Sequence, residues 1–145
     1  MQGIVVGIDG SEASDAALAF ALDEAKLRKL PLRIVCAWEV SARDYVGSAF
    51  VTTPDLAQSA ERNADAALAR AAAQVGPEPG IHVETAAIHG HPAKVLAEQA
   101  SGATLLVVGT RGHGGLAGLV LGSVSQALAH HCPSPLAIVP APATA

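Results

Sequence analysis

The stretch "VVGTRGHGGLAGLVLGSVSQ", residues 107–126, decides the fold. A β-branched run stops at Gly109, further glycines follow at 112, 114, 115 and 118, and helix-forming residues resume at Gly122-Ser123. A strand, a glycine-rich connection and a helix in that order are the unit from which parallel α/β sheets are built. So much backbone freedom weakens a fold unless something is meant to come close to the chain. The motif has an echo near the N-terminus: "VVGIDGS" at 5–11 and "VVGTRGH" at 107–113 both end a strand in Val-Val-Gly before a polar turn.

Outward from these two points, strands and helices alternate. "GIVVGID", 3–9, predicts a first strand, and Gly10-Ser11 a turn and helix N-cap. Helix formers run from Glu12 to Lys29, with Ala13, Ala17, Phe20, Ala21 and Leu27 expected on the buried face, until Pro31. "LRIVCAWEV", 32–40, predicts strand two, followed by a loop, "SARDYVGSAFVTTP". An alanine-rich helix is expected from Asp55 to Val75, with Arg62 and Arg70 on its wet face and "GPEPG" as its stop. Strand three is placed at 81–90, a helix opened by Pro92 runs to Ala100, and "ATLLVVG" is strand four. The last helix ends at His130-His131, whose charge when protonated suits a helix C-terminus, and "SPLAIVP" is strand five. The sequence reads as one α/β domain over 1–145, an open parallel sheet with helices on both faces, and the tail 141–145 is expected to fray.

Composition agrees. Half of the 145 residues are apolar but only 3% are aromatic, so the core must be aliphatic, as in buried parallel strands under alanine-rich helices. The net charge of −4, with no basic tract, gives no footprint for nucleic acid or an anionic membrane surface. No apolar span reaches transmembrane length, and "MQGIVVGIDG" does not resemble a secretory leader. Two cysteines, Cys36 and Cys132, are expected as buried thiols, and the cytoplasm as the compartment.

In open α/β sheets a ligand sits beyond the carboxyl ends of the strands, where neighbouring connections diverge. If strands one and four are neighbours, Asp9 and the Gly109 turn line two lips of one crevice. Gly109, Gly112 and Gly114 would let successive N–H groups converge on an anion, and Gly122-Ser123 would add the N-terminus of the last helix. Arg111 and His113 would add positive charge. The same glycines also suit tight turns and close packing, and on physics alone the two readings balance.

The spacing "G109-T-R-G112", nine residues, "G122-S123" matches the G-x2-G-x9-G-[ST] signature of nucleotide-binding universal stress proteins. "VVGIDGSEAS", "HGHPAKVLAEQA" and "HHCPSPLAIVP" resemble that family's first strand and turn, third strand-to-helix entry and closing strand. The resemblance covers essentially the whole chain. It implies a five-stranded parallel sheet in the order 3-2-1-4-5, Rossmann-like and akin to the adenine nucleotide alpha hydrolases, with ATP across strands one and four of a homodimer. It also implies roles: Gly7 and Asp9 beside the adenosine, Ala37 reading the adenine edge through its backbone, Gly109, Thr110, Arg111, Gly112, His113 and Gly114 around ribose and phosphates, and Gly122, Ser123 and Val124 receiving the phosphates. "LAGLVL", 116–121, departs from the family by being wholly apolar, so AMP or ADP is expected to compete with ATP, with or without Mg²⁺.

Other motifs are weaker. Gly122 meets Ser123 with no preceding lysine, so this is no Walker A loop, and no G-x-G-x-x-G follows strand one. "HGH" at 89–91 is one residue short of a nucleotidyl-transferase motif and follows the wrong strand. His130-His131-Cys132 reads as a helix end before it reads as a metal site. Trp38 and Tyr45 suit either covering a base or ordinary packing. Strand five ends the sheet and is too apolar to stay bare, which predicts a two-fold dimer through 135–140. The expected function is a cytoplasmic nucleotide-dependent stress sensor or regulator and not a metabolic enzyme. The alternatives are a slow ATP hydrolase and a dimeric adaptor that works without nucleotide.

Overall fold

The computed structural model describes residues 3–40, 53–110 and 121–142. The expected loop with Tyr45, the positions Arg111, Gly112, His113 and Gly114, most of the "LAGLVL" segment and the last three residues lie outside them.

Nine elements alternate along the described chain: β1 (Ile4–Gly7), α1 (Glu12–Arg28), β2 (Leu32–Trp38), α2 (Thr53–Val75), β3 (Val83–His89), α3 (Pro92–Ala100), β4 (Leu105–Gly109), α4 (Ser123–His131) and β5 (Leu136–Val139). The strands form one parallel sheet in the order β3-β2-β1-β4-β5. Ile4 lies beside both Leu32 and Leu105, so the carboxyl ends of β1 and β4 are neighbours, as the crevice required.

Alternation along each strand sorts the core into two layers. Ile4, Val6, Leu32, Ile34, Cys36 and Val107 pack with α1 and α2, while Val5, Val35, Leu106 and Val108 pack with α3 and α4. Each large aliphatic side chain fully buried in this way is worth roughly 1.5–3 kcal/mol relative to exposure. The small side chains of Ala13, Ala17, Ala21 and Ala25 let α1 lie close on the sheet.

Two local expectations are corrected and one, for Arg70, is extended. Phe20 and Leu27 are exposed, because the buried face of α1 is centred on Ser14, Leu18, Ala21 and Ala25, roughly 100° further round the helix. Arg70 is exposed but not merely wet: its Nη2 donates to the Gly10 carbonyl and to Asp15, each at 2.9 Å, tying α2 to the β1–α1 turn. Cys36 is buried, whereas Cys132 is only half-buried, because it lies past the end of α4.

Candidate functional site

The carboxyl ends of β1 and β2 open into a cavity of about 370 Å³, within the usual range for small-molecule sites. Asp9, Cys36, Ala37, Trp38 and Glu39 form its sheet side, Pro92 closes it from α3, and α2 supplies the opposite wall. Asp9 and Ala37 therefore line one cavity. The methyl of Ala37 belongs to the core layer on the α3 side, which leaves its peptide at the cavity lip.

The turn that carries Asp9 satisfies its own hydrogen bonds. Gly10 takes φ 86°, a conformation that favours glycine, and Asp9 Oδ1 accepts from the Ser11 N–H at 2.9 Å. Ser11 is the N-cap of α1 and its Oγ accepts from the Ser14 N–H. Ser14 Oγ in turn donates to the Ser11 carbonyl at 3.0 Å and accepts from the Asp9 N–H at 3.3 Å. The first turn of α1 thus has a side-chain cap on the Ser14 N–H.

The end of β4 is built differently. Thr110 donates its N–H to the Val139 carbonyl, and its own carbonyl accepts both the Gly122 N–H at 2.6 Å and the Ser125 hydroxyl at 2.7 Å. These bonds fix the N-terminus of α4 beside the carboxyl end of β4. The N-cap is Gly122, which brings no side chain to the first-turn N–H groups of Ser123 and Val124. Ser123 is exposed, whereas the Val124 side chain is half-buried and packs against the core.

Gly7 and Gly109 have packing reasons to be glycine. A Cβ on Gly7 would come within 2.6 Å of a Leu96 methyl on α3, and one on Gly109 within 2.7 Å of the Ala13 backbone on α1. The histidines of "HGH" also have structural places. The His89 ring lies 4.6 Å from that of Trp38, and His91 caps α3 by accepting from the Ala93 N–H at 3.2 Å. His130 and His131 occupy the last turn of α4.

Burial, then the negative charges of Asp9 and Asp65, push the Cys36 thiol from its ordinary 9.0 up to about 11. The thiol at this cavity wall is neutral at physiological pH.

The profile of the universal stress protein family matches residues 1–140. The chain belongs to the universal stress protein family. Universal stress protein Rv2005c of Mycobacterium tuberculosis is 36% identical over 137 residues, which are 93% of this chain and 44% of that protein. Rv2623 of the same organism is 32% identical over 136 residues, again 93% and 44%. The chain therefore spans less than half the length of these curated relatives. Among solved structures, a universal stress protein in complex with cAMP is 30% identical, with a TM-score of 0.70 over 97% of this chain and 98% of that one. UspA from Lactobacillus plantarum, 20% identical, shares the fold at a TM-score of 0.78 over 95% and 97%.

Sequence reasoning missed the α2 wall: Leu56, Ser59, Ala60, Asn63, Ala64 and Ala67. Their three- and four-residue spacing reads as an ordinary core stripe. The available signal was the polar pair Ser59 and Asn63 on the border of that stripe.

Proposed function

We propose that this chain binds an adenine nucleotide, ATP or its shorter relatives, and acts through that occupancy as a cytoplasmic stress regulator, not as a metabolic enzyme. Adenosine lies in the cavity at the ends of β1 and β2, and the phosphates extend over the N-terminus of α4. The observation that carries this reading is the separation of charge between the two places. Both charged groups among the described cavity-lining residues, Asp9 and Glu39, are acidic, so the cavity suits a nucleoside and repels phosphate. The open end of α4 at Gly122-Ser123 has the opposite polarity and favours an anion. Thr110, Arg111, Gly112, His113 and Gly114 lie in sequence between the two and would complete the phosphate loop. The related protein solved with cAMP supports the same ligand class.

Calorimetry on a Gly122→Glu variant tests the reading. A carboxylate at the head of α4 should weaken AMP and ATP by more than about tenfold, roughly 1.4 kcal/mol, while leaving adenosine within about twofold. Unchanged AMP affinity would remove the phosphate site.

We also propose a homodimer through β5. All four residues of Leu136–Val139 are half-buried in the single chain although the strand is wholly apolar, and it is an edge of the sheet. Sedimentation should give a dimer at micromolar concentration, and a monomer there would rule the interface out.

A further inference from the structure

The α2 wall of the cavity has a pattern of its own. Leu56, Ser59, Ala60, Asn63, Ala64 and Ala67 fall on one helix face. Ala64 is buried and Ala60 and Ala67 are half-buried, so the middle of the wall is a shallow surface of methyl groups. That surface suits the face of a planar ring and offers no hydrogen bonds to its edge. Ser59 and Asn63, one turn apart, stand exposed on the rim. Across the cavity, the carboxylates of Asp9 and Glu39 only accept hydrogen bonds and the Trp38 indole only donates. Among the described side chains that line the cavity, the Asn63 amide alone presents a donor and an acceptor side by side on one planar group.

We infer that Asn63 is the specificity-determining residue for the base, reading adenine through its N6 and N7 atoms. This rests on the nucleotide reading above. An amide donates to N7 and accepts from the N6 amino group, a pair that adenine offers on that edge and guanine does not, because guanine presents two acceptors there. A base stacked on the methyls of Ala60, Ala64 and Ala67 would bring that edge to the rim where Asn63 stands.

The test is the binding of AMP, GMP and 7-deaza-AMP, which lacks the N7 acceptor, to the full chain and to Asn63→Ala. Position 63 is an exposed helical site and alanine favours helix, so the variant should fold as the parent does. The parent should prefer AMP over GMP by about tenfold and over 7-deaza-AMP severalfold. Asn63→Ala should lose the preference over 7-deaza-AMP and most of the preference over GMP. Asn63→Arg, whose guanidinium suits the paired acceptors of guanine, should shift the preference toward GMP. A parent that binds AMP selectively and an Asn63→Ala variant that keeps the full preference would overturn the assignment alone. A parent that binds none of the three would overturn the nucleotide reading and this assignment with it.

Discussion

The carboxyl ends of β1 and β4 start from the same Val-Val-Gly and finish as opposites. After β1, Asp9, Ser11 and Ser14 take up one another's donors, and α1 begins with its first turn capped. After β4, Thr110 spends its carbonyl on holding α4 in place, and the helix begins at a glycine with no capping side chain. Neighbouring strands thus deliver one side-chain-capped helix end and one uncapped one to the carboxyl edge of the sheet, on its two opposite faces. A capped end has one first-turn N–H already engaged, whereas an uncapped end offers its N–H groups to solvent or to an anion. The difference lies in the N-cap residue, Ser11 against Gly122, and not in the strands.

The two glycines of the repeated motif sharpen the contrast, and one of them gives the largest effect. A methyl on Gly109 would meet the Ala13 carbonyl carbon, oxygen and Cβ at 2.7–2.8 Å, so α1 itself would have to move. A methyl on Gly7 meets only side-chain atoms of Leu96, its two methyls at 2.6 and 2.9 Å and Cγ at 3.3 Å, and no backbone. Gly109→Ala should therefore cost about 3 kcal/mol and Gly7→Ala about 1 kcal/mol in chemical denaturation. Equal costs would mean that the β4 end is no more tightly packed than the β1 end.

Much of this was legible beforehand, for identifiable reasons. The elements followed from periodicity, because the aliphatic strands and alanine-rich helices differ strongly in pattern. The order of the strands followed from the family resemblance, since periodicity carries no information about neighbours. Of the motif glycines, Gly7 and Gly109 meet a close approach, but sequence cannot say from which side. At Gly7 and Gly109 the packed neighbours are Leu96 and Ala13, whatever a ligand adds. Phe20 and Leu27 were misplaced because a helix so rich in alanine has a weakly defined apolar face, and the stripe can be drawn a quarter-turn away. Ser125, buried in the middle of a turn, gave no signal, because its partner Thr110 is fifteen residues away and meets it only in the folded chain.

An effect confined to alkaline pH probes the capped side. Cys36 sits at the cavity wall behind Asp9, and burial is the larger cause of its raised ionisation, with the Asp9 and Asp65 charges adding to it. Folding therefore favours the neutral thiol. That contribution to stability is complete below about pH 9, where the unfolded thiol is also protonated, and is lost as pH rises toward 11. Stability should fall across that window in the parent and fall less in Cys36→Ala, as denaturation at a series of pH values will read. Asp9→Asn removes one of the two charges but leaves the burial, so the alkylation profile of Cys36 should shift down only part of the way toward 9.0. A complete return to 9.0 in Asp9→Asn would mean that water reaches the thiol freely and that charge alone holds its proton. The wall between β2 and α2 would then be open, and the alanine surface behind it could not exclude solvent from a bound base.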